Sequence, residues 1–275
     1  MDMQLQPEAE QLESEFAGIL STQGLMAVYQ PIISLQTGNI LGWEALTRGP
    51  EGSYFQRPDV IFSFAENNGL LFATEKICRT LAINNFGAME AEQKLFLNVH
   101  PRTVGDAGFI KGETMELVRE YGWHPNSVVF EITERHSIDD YEYLKKTLEH
   151  YRNQGYQVAV DDVGAGFSGL YSIAEINPDF IKIDMSLVRN VDKNPERRAV
   201  VGSLLDLAVR IGCQVIAEGV ETAGELKTLI ALGVPYGQGY YLVRPAFPKP
   251  FVPETLVTLI REQSQARNRR FTFSG

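Results

Sequence analysis

The sequence predicts an α/β fold, a closed β/α barrel of eight strands, and three observations carry that expectation. The chain has 275 residues, and a β/α barrel commonly fills about 250 residues as one unit. Eight short apolar runs alternate mostly with helix-patterned stretches, which favours a barrel over a sandwich or a bundle. Most of those runs end in, or are interrupted by, a charged or amide residue.

Taken in order, Leu5, Ala9, Leu12, Phe16 and Leu20 fall on one face of a first helix. Two β-like runs follow, Met26 to Ile33, broken by Pro31, and Ile40 to Leu46. The turn signal Thr37-Gly38-Asn39 joins them, so a hairpin with an antiparallel first strand is expected. Helical pattern holds from about Pro58 to Gly87, then Leu95 to Val99 and Val128 to Thr133 read as strands. Tyr141, Leu144, Leu148 and Tyr151 mark a helix ending near Gly155; Val158 to Val160 and Phe180 to Ile183 are strands. Asn194-Pro195 is an N-cap with proline at the first helical position, and Gly212 closes that helix. Val215 to Ala217 is a strand, and Thr222 with Glu225 forms a capping box for a helix stopping at Gly233. Tyr236 to Val243 supplies the last strand and Pro253 to Gln265 the last helix. The expected organisation is an N-terminal helix on the barrel (1–24), the barrel (25–266) and a basic tail (267–275) around Arg267-Asn268-Arg269-Arg270.

Composition narrows the function. The 25 basic and 35 acidic side chains leave a net charge of −10, which argues against a surface built to grip DNA or RNA. Only Cys78 and Cys213 are available for disulfides, which fits a reducing compartment. No run of 18 apolar residues offers a membrane span, and the polar start is no signal peptide. The expectation is a cytoplasmic protein, or a soluble piece of a larger one, with no membrane insertion.

The strand ends are the informative positions. They carry Glu44, Asn98, Glu131 with Glu134, Asp161-Asp162, Lys182 with Asp184, Glu218 with Glu221, and Gln238. In a β/α barrel the carboxyl ends of the strands meet at one mouth, whatever their separation in sequence. A lone strand glutamate normally faces solvent, but repetition at successive strand ends points to a shared site. Two like charges about 4 Å apart repel by about 4 kcal/mol at an effective dielectric near 20. Several acids in one cleft therefore need protons or cations among them. Oxygen donors without histidine or thiolate select hard ions such as Mg²⁺ or Mn²⁺. A pair of such ions clamps the attacking and leaving oxygens of a phosphodiester. Lys182, sharing a face with Asp184, is either a lysine on a polar strand face or a cation oriented by carboxylates toward water.

Gly164-Ala165-Gly166-Phe167-Ser168-Gly169 satisfies the G-x-G-x-x-G fingerprint of dinucleotide sites, with Asp184 20 residues beyond Gly164. Asp161 and Asp162 would then face a pyrophosphate with like charge, and the motif lies mid-chain, so the glycines are read as a mobile loop beside the acids. His100, His124, His136 and His150 lack metal-site spacing, and both cysteines read as packing residues.

The motifs Tyr29-Gln30-Pro31-Ile32-Ile33, Glu44-Ala45-Leu46-Thr47-Arg48, Asn98-Val99, Glu131-Ile132-Thr133-Glu134, Asp161-Asp162, Ile181-Lys182-Ile183-Asp184, Glu218-Gly219-Val220-Glu221 and Gln238-Gly239-Tyr240 together resemble the EAL-domain family. The resemblance spans roughly Ala27 to Pro248. It implies a modified TIM (β/α)8 barrel with an antiparallel first strand, and a homodimer. It also implies a phosphodiesterase that opens cyclic di-GMP to 5′-pGpG with two Mg²⁺ or Mn²⁺ ions. By position, Glu44, Asn98, Glu131 and Asp161 would hold one ion. Asp161 would bridge to a second, held also by Asp162 and Glu218. Lys182 would contact the attacking water, with Glu44 and Glu218 the other catalytic groups. Glu134 would steady the loop after strand five, and Gln238 would support the metal site. Gln30, Leu46, Arg48, Asp184, Glu221, Arg244 and Pro245 would lie against the nucleotide. One departure is Val163, where the family pattern after the aspartates has phenylalanine. Relatives that have lost catalytic residues act as receptors of the nucleotide, which leaves a regulatory module as the alternative to an enzyme.

Overall fold

The computed structural model describes residues 9–22, 24–100, 102–103, 113–133, 141–166 and 169–272. Eight strands close into a barrel in chain order: β1 (Met26–Ser34), β2 (Ile40–Arg48), β3 (Lys94–Asn98), β4 (Val128–Thr133), β5 (Gln157–Val163), β6 (Phe180–Ile183), β7 (Gln214–Ala217) and β8 (Tyr236–Gly237). β1 runs antiparallel to both its neighbours, and every other pair is parallel. The α/β barrel and its antiparallel first strand are thus as the sequence predicts.

Pro31 does not break β1. The amides of Tyr29 and Leu35 leave the strand on the edge turned away from β2 and bond Ala246 and Pro235. Pro31 shares that edge, between the Tyr29–Ala246 bridge and the Ile33–Gly237 pair, where no ladder bond is needed. β8 is shorter than the sequence suggests: its ladder ends at Gly237, and Gln238 follows the strand rather than lying in it. β5 is longer, running through both aspartates to Val163.

The helical stretch after β2 is two helices, α2 (Pro58–Asn67) and α3 (Leu71–Asn84). α1 (Ala9–Ser21) sets Phe16 and Ile19 in a cluster with Phe55, Ile61 and Ala65. Beyond β3 come α4 (Glu113–Glu120), α5 (Tyr141–Asn153), α6 (Gly169–Ile176), α7 (Met185–Val188), α8 (Pro195–Ile211), α9 (Ala223–Leu232) and α10 (Glu254–Thr272). The predicted punctuation of α8 and α9 is present. Asn194 caps the Arg197 amide, Gly212 closes α8 in the left-handed region, and Thr222 and Glu225 form a reciprocal box. α10 continues past Gln265, so Arg267 is helical rather than part of a tail and its Nε donates to Ala231 O. Among the described residues no helix is long and apolar enough to cross a membrane.

The barrel interior explains the mouth. Ile32, Phe96, Val129, Ala159, Phe180 and Ile216 form one buried cluster, with Phe96 and Phe180 meeting edge to face at 5.4 Å. Alternate residues of a strand share a face. Two positions from these six stand Gln30, Asn98, Glu131, Asp161, Lys182 and Glu218. The polar groups therefore form the layer above an apolar floor, and the strand residues between them face outward to the helices.

Candidate active site

Lys182 is the centre of the mouth. It is completely buried, and its Nζ lies 2.7 Å from Glu218 Oε1, 2.8 Å from Glu131 Oε1, 3.3 Å from Asp161 Oδ1 and 3.4 Å from Glu44 Oε2. β2, β4, β5, β6 and the segment after β7 thus deliver five side chains to one point. Lys182 is thus enclosed among carboxylates and does not sit on a solvent-facing strand surface. Burial opposes its charge, yet Asp161, Glu131, Glu218 and Glu44 together hold its pKa well above that of an ordinary lysine.

One ammonium does not neutralise four carboxylates, and the acids divide accordingly. Burial, then the charge of Glu44, pushes the Glu131 pKa well above the usual range; burial and Asp161 do the same to Glu218. Burial would also raise Glu44, but Lys182 and hydrogen bonds from Gln238 and Asn98 outweigh it and hold its pKa low.

Two amides fix the geometry of these acids. Asn98 Nδ2 donates to Glu44 Oε1 (3.1 Å) and Glu131 Oε2 (3.2 Å). Gln238 Nε2 donates to Glu44 Oε2 (2.7 Å) and Gln30 Oε1 (3.1 Å), and Gln30 Nε2 in turn donates to Val243 O. Among the described residues, the buried Gln238 Oε1 has no hydrogen-bond partner.

Asp161, Asp162 and Glu218 offer oxygens that all lie within 4.8 Å of one another. That all-oxygen set suits a hard divalent cation. Lys182 already shows that the cavity stabilises positive charge. Glu44, Glu131 and Asn98 form a second polar group beside it; Asn98 presents its nitrogen there and would turn its oxygen inward to coordinate an ion.

A cleft of about 580 Å³ opens beside this cluster, and Glu44, Leu46, Arg48, Asn98, Asp161 and Asp162 line it. Arg48 Nη1 donates to Thr47 O (2.7 Å). Other expected contact residues have local partners. Asp184 caps α7, its Oδ1 accepting the Ser186 amide at 2.8 Å. Glu221 pairs with Arg189 at 3.2 Å, and Arg244 stacks 4.4 Å over the Tyr240 ring; Pro245 is half-buried beside it. Glu134 lies outside the described residues.

The cleft also contains residues that the strand-end pattern does not select. Glu75 and Arg79 of α3 form a buried pair (3.2 Å), and Glu75 accepts the His100 amide at 2.7 Å. Burial pushes Glu75 up to about 7. Their signal in the sequence was an i, i+4 charge pair on the inward face of a helix.

The model of the EAL domain matches residues 10–245. The chain belongs to the EAL-domain family. It is 30% identical over 242 residues to the cyclic di-GMP phosphodiesterase PA2567 of Pseudomonas aeruginosa, a match covering 86% of this chain and 41% of that protein. This EAL chain thus spans less than half the length of that curated relative. Among solved structures, a standalone EAL protein from Vibrio cholerae O395 in its c-di-GMP bound form superposes with a TM-score of 0.72 at 30% identity. That match covers 84% of this chain and 97% of the other. The manganese and cyclic di-GMP complex of Klebsiella pneumoniae BlrP1 gives a TM-score of 0.74 at 29% identity, covering 82% of this chain and 56% of the other.

Proposed function

We propose that this EAL domain hydrolyses cyclic di-GMP to linear 5′-pGpG with two divalent ions, Mg²⁺ or Mn²⁺. The observation that carries the reading is the gathering of Glu44, Glu131, Asp161 and Glu218 around Lys182, with Asp162 alongside, at the edge of a nucleotide-sized cleft. Relatives named for this activity, and a manganese and cyclic di-GMP complex of the same fold, support it.

Asp161, Asp162 and Glu218 would hold one ion, and Glu44, Asn98, Glu131 and Asp161 the other. Bound ions supply Lewis acidity and a water deprotonated near neutral pH. The chain does the rest. Gln238 and Asn98 hold Glu44 in one orientation, which is the work of outer partners in metal sites. Lys182, kept protonated by its carboxylates, donates hydrogen bonds toward the attacking water rather than removing its proton. Arg48 and the Leu46 backbone receive a phosphate of the dianionic substrate, while Gln30, Glu221, Arg244 and Pro245 border the nucleotide. Exposed apolar groups, Leu170 and Tyr171 of α6 among them, support a homodimer. The two free cysteines fit a cytoplasmic setting.

Incubation with cyclic di-GMP and Mn²⁺, followed by chromatography, tests the reading. 5′-pGpG that forms with Mn²⁺ and stops with excess EDTA is the expected result. Nucleotide binding without product would instead make the domain a receptor.

A further inference from the structure

Two loops meet at the mouth beside Glu218, and Glu225 joins them. Its side chain is buried in the first turn of α9. Oε2 accepts the amides of Glu221 and Thr222, both at 2.9 Å, in the loop that carries Glu218. Oε1 accepts the amide of Asn190 at 2.8 Å, in the separate loop between α7 and α8, where Asn190 has φ +57°. Of these three bonds an ordinary capping box needs only the one from the Thr222 amide. Burial would raise the Glu225 pKa, but the amides of Asn190 and Glu221 outweigh it and hold it low.

The β7–α9 loop meets α7 and the residue that follows it at two further places. Gly219, next to Glu218, has φ +65°, and a Cβ there would come 2.4 Å from Cβ of Met185 in α7. Only glycine allows that approach in that conformation. Arg189 reaches across to Glu221.

We propose that Glu225 is a positioning residue: its carboxylate clamps the α7–α8 loop to the β7–α9 loop, so that Glu218 stands ready against Asp161 and Asp162 before an ion arrives. This rests on the reading of Glu218 as a ligand of the divalent ion. The clamp acts on the shape of the site, not on the reacting atoms.

The test compares Glu225→Gln, Glu225→Asp and Thr222→Ala in the full chain. Thr222→Ala removes the hydroxyl that caps the Glu225 amide but leaves the Asn190 bond. Amide exchange at Asn190 is read by NMR without metal, and Mn²⁺ affinity by calorimetry. Glu225→Gln should speed Asn190 exchange and weaken Mn²⁺ binding, each by at least about tenfold. Thr222→Ala should lower Tm while leaving both readouts within about threefold of wild type. Unchanged Asn190 protection in Glu225→Gln, or equal weakening of Mn²⁺ by Thr222→Ala, overturns the clamp and leaves Glu225 as a helix cap. Should Glu225→Gln not fold, Glu225→Asp keeps the charge one methylene short and must move both readouts in the same direction. A wild type that binds no Mn²⁺ removes the ligand reading instead, and Asn190 exchange then decides the clamp by itself.

Discussion

The amide of Asp162 donates to Oδ1 of Asp161 over 2.9 Å, and this bond marks how two consecutive strand residues serve one site. In a regular strand they would face opposite sides of the sheet. Here the β5–β6 register passes from Val160–Ile181 to Val163–Ile183, so three steps on one strand match two on the other. Such a bulge re-aims side chains at the rim of a barrel. Asp162 takes up the irregularity at φ +58°, a left-handed conformation that costs most residues about 1–2 kcal/mol and that Asp and Asn tolerate best.

Asp162→Asn and Asp162→Ala therefore separate charge from backbone. Asparagine keeps the tolerated conformation and loses the charge, so kcat should fall at least about a hundredfold while the Tm of the metal-free protein holds or rises. Alanine should lose the same activity and about 1 kcal/mol of stability besides. A near-normal kcat for Asp162→Asn would remove Asp162 from the chemistry.

Lys182→Met tests the central cation. Breaking a buried charge cluster by deleting one partner costs about 3–5 kcal/mol, because the remaining charges stay uncompensated. The metal-free variant should melt well below wild type, and saturating Mn²⁺ should narrow the gap by binding the same acids. Activity should fall at least about a hundredfold. A variant as stable as wild type in EDTA would mean that the four carboxylates do not need Lys182.

How far the sequence reached follows from how each signal arises. Seven strands and the caps of α8 and α9 were legible because apolar runs, Asn-Pro, Thr-x-x-Glu and terminal glycines are local. The acids and Lys182 were legible as strand ends, since closure of the barrel turns that position into proximity. Gln238 reaches Glu44 from just beyond the end of β8. Tyr236 to Val243 is apolar enough to pass for a strand, but pairing with β1 and β7 stops at Gly237. The second half of Glu225's role was not legible: the capping box is local, whereas its bond to Asn190 spans 35 positions. The same holds for the bond from His100 to Glu75, which only the packing of α3 on the barrel creates.

Glu131→Gln should stabilise the metal-free protein near neutral pH. A carboxyl whose folded pKa lies above its ordinary value near 4.5 contributes its stability fully below that value. The contribution is lost as pH rises through the folded pKa. Glutamine cannot ionise and so escapes the loss, each pKa unit being worth about 1.4 kcal/mol. In EDTA the Tm of the variant should match wild type near pH 4 and exceed it increasingly toward pH 8, while turnover with Mn²⁺ is lost. A variant less stable than wild type at pH 8 would show that Lys182 needs the Glu131 charge more than the other acids repel it.

Arg48→Ala should act on binding alone. Arg48 lines the cleft and pairs with none of the clustered acids, and under the proposed reaction the phosphate it would meet is anionic from ground state to product. A hydrogen bond to a charged group contributes about 1.5–3 kcal/mol, or about ten- to a hundredfold in an equilibrium constant. If Arg48 holds the phosphate equally before and during reaction, KM rises by that factor and kcat changes little. Steady-state kinetics with cyclic di-GMP separates the two parameters. A fall confined to kcat would place Arg48 against charge that develops in the transition state, and would move it from the cleft wall into the chemistry.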